Sequence, residues 1–139
     1  MVLPFYPWHL AMMNLPPEKA AEVARCIEGF KRLGAAGWVR TIVADRPGKP
    51  VEVLGVAGVS PCGGGQGEVF VVSADKPQVR EFVMGVRQLL EQARGHFATI
   101  QALGDEGDPR IERWLSWLGF KKVGQRAEAG KMMAVWRLA

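Results

Sequence analysis

The stretch with the strongest hint of chemistry is DKPQVREFVMG, residues 75 to 85. It opens like a loop that holds a phosphate at the head of a helix, where aligned backbone amides and the helix dipole favour an anion. Glu81 and Val83, however, stand where such loops carry glycine. A carboxylate beside a diphosphate costs roughly 1 kcal/mol at about 4 Å in water, and more where water is excluded. Valine adds stiff, branched bulk where a ligand would lie.

Other reactive side chains are isolated. His9 and His96 have no carboxylate, Cys or His partner at motif spacing and read as structural or surface residues. Cys26 and Cys62 lack metal-ligand spacing, so no metal site is expected and neither reads as a nucleophile. PCGGGQG (61 to 67) lacks the Lys-Ser/Thr pair of a nucleotide loop and reads as a connection between strands. Trp114 and Trp117, with Trp38 and Trp136, read as core fillers and not as a platform for stacked bases. Met132 and Met133 alternate along a strand, so at most one faces the core. Tyr6, the sole tyrosine, is expected to pack at the N-terminal edge.

The elements that must position these residues follow from periodicity. The first residues read as an edge strand or extended arm. A helix starts at Asn14, Pro16, Pro17 and Glu18, buries Ala20, Val23, Ala24, Ile27 and Phe30, and ends at Gly34. WVRTIVA (38 to 44) and VEVLGVAGV (51 to 59) flank the turn-forming DRPGKP and read as an antiparallel pair. EVFVV (68 to 72), nearly unbroken apolar, suits a central strand buried on both faces. Asp75 caps a helix with Val79, Phe82, Val83, Val86, Leu89, Leu90 and Ala93 on one face, stopped by Gly95. FATIQAL (97 to 103) is the next strand, and a helix joining two neighbouring strands implies a right-handed parallel crossover. Asp108-Pro109 caps a short helix that buries Ile111, Trp114, Leu115 and Leu118 and stops at Gly119. KKVGQ and MMAVWRL, split by EAG, close the chain as a hairpin. The predicted fold is α/β (α+β), in the order β-α-β-β-β-α-β-α-β-β. Its sheet is mixed and mostly antiparallel, with a central parallel strand pair.

Bulk properties set the class. A chain of 139 residues, 48% apolar and 23% charged, suits a single domain over residues 1 to 139 that needs no disulfide or metal to fold. The net charge of +4 comes from bases interleaved with acids, the densest spots being Lys31-Arg32 and Lys121-Lys122. That pattern reads as a solvated mixed-charge surface, so nucleic acid is not an expected partner. The apolar N-terminus has no basic leader and is broken by Pro4 and Pro7, and no other stretch approaches membrane length. A soluble, cytoplasmic protein without a membrane partner is expected. An exposed apolar N-terminal strip leaves a protein partner or self-association open.

The element order resembles the GCN5-related N-acetyltransferase (GNAT) superfamily over most of the chain. GEVFVVSADKPQVREFVMGVRQLL (67 to 90) is similar to the family's central strand, pyrophosphate loop and helix. RWLSWLGFKKVG (113 to 124) is similar to its late helix-Leu-Gly-Phe-strand segment. The family loop has the form Pro-x-x-Arg-Gly-x-Gly-x-Gly. This sequence keeps Pro77, Arg80 and Gly85 and replaces the first two glycines with Glu81 and Val83.

The resemblance implies acetyl-CoA or another acyl-CoA as cofactor, carried by Val71, Val72 and Ser73 of the central strand together with Arg80 and Gly85. It implies Glu68 as the catalytic base, at a position where many members carry a glutamate. The place of the family's usual tyrosine acid, four residues before Gly119, is Leu115, with Ser116 a poor substitute. Two functions follow as expectations. One is an acyltransferase-like enzyme with an eroded cofactor loop and weak or absent N-acyl transfer. The other is a non-catalytic structural or interaction protein, similar to short phage-encoded, virion-associated members that lack a second early helix.

Overall fold

The computed structural model describes residues 1 to 13, 15 to 74 and 79 to 138, apart from the side chain of Val79. The strands are β1 (Val2–Pro4), β2 (Val39–Ala44), β3 (Glu52–Gly63), β4 (Gln66–Ser73), β5 (Thr99–Asp105), β6 (Phe120–Glu128) and β7 (Lys131–Leu138). The helices are α1 (Trp8–Ala11), α2 (Pro17–Arg25), α3 (Ile27–Ala35), α4 (Val79–Ala93) and α5 (Pro109–Trp117). One sheet runs in the order β1-β2-β3-β4-β5-β7-β6. Every pair is antiparallel except β4 and β5, which are joined through α4 as a parallel crossover.

Two cores result from alternation along β2 and β3, whose phase shifts at a bulge where Ile42 and Val43 pair with Gly55 and Val53. Ile42, Ala57 and Val59 face α4, whose Phe82, Val86, Leu89 and Ala93 are buried against them. Burying a side chain of Phe82's size stabilises by about 1.5–3 kcal/mol. This core continues under α5 through Leu115, Leu118, Phe120 and Trp136. Val39, Val43, Val53 and Val56 face the opposite way, onto Phe5, Leu10, Val23 and Phe30 of the N-terminal segment and α1–α3.

Helix starts and turns follow their local chemistry. The carboxylate of Asp108 accepts the N–H of Arg110 at 2.9 Å, with Pro109 in the first turn of α5. The β3–β4 hairpin turns through Gly63, Gly64 and Gly65, all at positive φ (89°, 62° and 75°), a region glycine enters without penalty. Because the glycines form the turn itself, β3 runs on through PCG instead of ending at Val59.

Several sequence expectations need correcting. The single early helix is two, α2 and α3, so a second early helix is present. The Cys26 N–H bonds the carbonyl of Val23, three residues back, and tightens the helix there. Val23, Ile27 and Phe30 keep helical spacing across the break, so periodicity does not reveal it. The first residues form the edge strand β1 as read, and a further short helix, α1, follows it where no helix was read. β4 is central in the sheet but not buried on both faces: Val71 is 39% exposed, whereas β2 and the first part of β3 are buried. Trp117 is 50% exposed and fills no core. Asn14 and Asp75, assigned to helix starts, lie outside the described residues.

Gly85 shows how closely α4 sits on the sheet. A Cβ there would lie 2.7 Å from Ile42 Cγ2 and 2.9 Å from Cγ1. On an open helix face, Gly→Ala stabilises by roughly 1 kcal/mol. Here the added methyl must displace a fully buried isoleucine, and overpacking of this kind costs about 1–3 kcal/mol. Gly85→Ala is therefore expected to lower the urea midpoint, and to do so by less in an Ile42→Ala background. A rise in midpoint for Gly85→Ala would show that the contact is absent.

His9 ties α1 to β2. Its Nδ1 accepts the backbone N–H of Tyr6 at 3.1 Å and lies 2.6 Å from Thr41 Oγ1, the latter contact buried. Burial holds the imidazole below its ordinary pKa of 6.5. The fold thus favours the neutral ring, and the unfolded chain takes up the proton first. His9's contribution is complete above pH 6.5 and is lost as pH falls from there through the depressed folded-state value. Urea midpoints should fall between pH 7.5 and pH 5, and His9→Gln should flatten that part of the profile.

Candidate functional site

β4 pairs with β3 along its whole length, from Gln66 to Ser73. With β5 it pairs over residues 66 to 68 alone, opposite Thr99, Ile100 and Gln101. Beyond Glu68 and Gln101 the two strands part. The closed end is fixed by the Ala98 N–H donating to the Gly65 carbonyl at 2.7 Å and by the tight seat of Gly67, where a Cβ would lie 2.5 Å from Val59 Cγ1 and 2.9 Å from Phe97 Cδ1. Among the described residues, the β5-facing edge of β4 has no strand partner from residue 69 to 73. Such an edge offers backbone donors and acceptors to an extended ligand. Val71 is exposed along this stretch, and Val72 and Ser73 are half-buried.

Glu68 stands where the strands part. Its Oε1 accepts from Arg126 Nη2 at 2.9 Å and from Gln101 Nε2 at 3.2 Å. Gln101 is held in turn by Gln66, whose Nε2 donates to Gln101 Oε1 at 2.7 Å. Arg126 also reaches Glu128 Oε1 at 3.1 Å. The hydrogen bond to Glu68 raises the pKa of Arg126, so the guanidinium keeps its charge. Both bonds to Glu68 converge on one oxygen, and among the described residues none is made to Oε2. A carboxylate anchored through one oxygen, at the head of an open edge, can take a proton on the other.

The remaining sequence candidates are dispersed. Arg80 is exposed in the first turn of α4. Glu81 beside it pairs with Arg46 of the β2–β3 turn at 3.0 Å, both side chains about two-fifths exposed. Val83 is 7% exposed and packs in the core, as the apolar face of the helix implies, so its bulk does not lie where a ligand would. Gly85 rests on Ile42. Pro77 lies outside the described residues. Leu115 is buried in the core under α5, and Ser116 is exposed. Cys62 near the hairpin tip has its thiol pKa raised, first by burial and then by the charge of Glu68, against the opposing effect of Arg126; it is therefore a protonated thiol at neutral pH. His96 meets the ring of Trp38 edge-on at 4.3 Å and pairs with no carboxylate among the described residues. No metal-holding cluster occurs among the described residues.

Sequence reasoning missed Arg126, Gln101 and Arg46. Gln101 and Arg126 lie 33 and 58 residues from Glu68, and Arg46 lies 35 from Glu81. No local spacing signals such pairs. Gln101 and Arg126 reach Glu68 because β5 closes on β4 and β6 folds back beyond β7, and Arg46 meets Glu81 because α4 packs on β2 and β3.

No family model matches the chain, and no curated protein matches it. Solved structures do. A ribosomal-protein-alanine N-acetyltransferase of Brucella melitensis superposes with TM-score 0.71 at 16% identity, over 99% of this chain and 98% of the other. A Bordetella pertussis protein assigned to the GnaT acetyltransferase family gives 0.70 at 18% identity, over 99% and 94%. A Salmonella typhimurium protein of acetyltransferase type, solved with its cofactor acetyl-CoA, gives 0.71 at 14% identity, over 99% and 92%. At these identities the likeness shows the fold, and the fold is GNAT. Among the described residues no helix is long and apolar enough to cross a membrane.

Half-exposed ion pairs contribute about 0–1 kcal/mol. Glu81→Gln and Arg46→Gln should therefore each move the urea midpoint only slightly, which lets the charge at the head of α4 be changed without unfolding the protein. A large loss in either variant would give the pair a structural role instead.

Proposed function

We propose that the protein is an acyl-CoA-dependent N-acyltransferase of low activity, with Glu68 as the general base. The parting of β4 and β5 at Glu68 carries this reading, because it puts an unpaired strand edge and an anchored carboxylate at one point. The acetyl-CoA in the Salmonella typhimurium structure supports the choice of cofactor.

The residues fit the group unevenly. Residues 69 to 73 offer an open edge suited to an extended, amide-bearing arm, with Val71, Val72 and Ser73 along it. At the head of α4, Arg80 is available to a diphosphate, but Glu81 puts a carboxylate in the same turn, and its partner Arg46 only offsets that charge. Gly85 is left with a packing role. Bound acyl-CoA supplies an acyl carbon activated as a thioester, whose carbon–sulfur bond is exchanged for a carbon–nitrogen bond to the amine. Glu68 Oε2 takes the proton that the amine loses, while Arg126 and Gln101 hold Oε1 in place. Leu115 has no proton to give the departing thiolate, which must take one from water. The missing acid and the acidic loop head both support a slow reaction.

The burial of Leu115 in the core also favours the second reading, a non-catalytic protein on an acyltransferase scaffold. Calorimetric titration with acetyl-CoA separates the two. Binding in the micromolar-to-millimolar range, tightened by Glu81→Gly, is the expected result; no heat at millimolar ligand for either protein overturns the cofactor assignment. If transfer is detected, Glu68→Gln should lower kcat by about 10²–10⁴-fold with an unchanged urea midpoint. Full activity in that variant would remove Glu68 as the base.

A further inference from the structure

We infer that the groove between α2–α3 and β3–β4 binds the body of an amine that carries a single positive charge on an apolar, ring-bearing frame, and that it disfavours polycations. This names the acceptor class of the proposed acyltransferase and rests on that reading.

The groove has a volume of about 410 Å³, within the range of small-molecule sites. Phe70 and Val72 line it from β4, and Val23, Phe30 and Leu33 from the two helices. The rings of Phe30 and Phe70 meet edge-on with centroids 5.3 Å apart, a geometry that leaves an aromatic face for a third ring. Its charged lining consists of Lys19 and Glu22, opposite in sign and three residues apart on α2, so they offset each other. A polycation entering this groove would shed water from several ammonium groups and find no net negative charge to replace it. An apolar frame sheds water favourably.

The direction of the groove supplies the rest. Ser60 lines one end and pairs across the β3–β4 ladder with Glu68. Glu68 and Phe70 alternate along β4 and so share a side of the sheet, roughly 7 Å apart along the strand. A ring seated on Phe30 and Phe70 thus leaves about a two-carbon arm to bring its amine to the Glu68 carboxylate.

Two lining residues make the inference testable without acyl transfer. Cys26 lines the groove and is exposed, and the sequence holds one other cysteine, Cys62. Gly29 lines it too, and a Cβ there meets nothing within 4 Å, so a larger side chain would plug the groove without displacing protein atoms. In a Cys62→Ser protein, the rate at which Ellman's reagent modifies Cys26 reports occupancy. Phenethylamine at about ten times its Kd should slow modification roughly tenfold, as binding linkage requires. Spermidine at the same concentration should leave the rate unchanged. A Cys62→Ser protein that also carries Gly29→Leu should fold normally and lose the protection. Equal or better protection by spermidine, protection that survives Gly29→Leu, or none at saturating phenethylamine would each overturn the inference. Acetyl transfer is scored separately. Protection without any transfer keeps this inference and removes the enzyme reading, whereas transfer that prefers spermidine keeps the enzyme and removes this inference.

Discussion

The architecture depends on the unequal pairing of one strand. β4 is hydrogen-bonded to β3 over its full length but to β5 over three registered pairs, so it belongs wholly to the N-terminal half of the sheet and only at its start to the C-terminal half. Each half then follows its own twist. The wedge between them exposes the β4 edge beyond Glu68, and the half-burial of β4, unexpected for so apolar a strand, has the same cause.

Packing on both sides maintains that arrangement. α4 must span from the end of β4 back to the start of β5, and it does so pressed against β2 and β3, with Gly85 on Ile42 and Phe82 over Gly55. The close seat at Gly55, where a Cβ would meet Phe82 at 2.4 Å and the Val72 carbonyl at 2.6 Å, locks helix, β3 and β4 together. On the other face, α1–α3 cover β2 to β4. Together they build a groove lined by Phe70, Val71 and Val72 of β4, so the open edge and the groove share one strand.

Charge is distributed in keeping with this. Glu68 is held by Arg126 and Gln101 from the C-terminal half, so the ion pair bridges the two halves where they part. At the other end of β4, Glu81 and Arg46 pair across the head of α4, bringing a carboxylate to a place that favours a ligand's anion. One carboxylate is anchored where the strands part. The other competes with the anion of any ligand that helix would bind.

The sequence by itself determined the strands, the two later helices and their order, because apolar spacing, caps and turn glycines are local: Asp108-Pro109, Gly63 to Gly65, and the 3.6-residue stripe through Phe82, Val86 and Leu89 all stand where they were read. It also brought out Glu68 and the acidic substitution at Glu81. Only the tertiary structure decided why Gly85 is glycine, that the early helix breaks at Cys26 without disturbing its buried face, and that Arg126, Gln101 and Arg46 are partners. Those outcomes depend on contacts between residues tens of positions apart, set by strand register and helix seating, and a linear pattern holds no record of either.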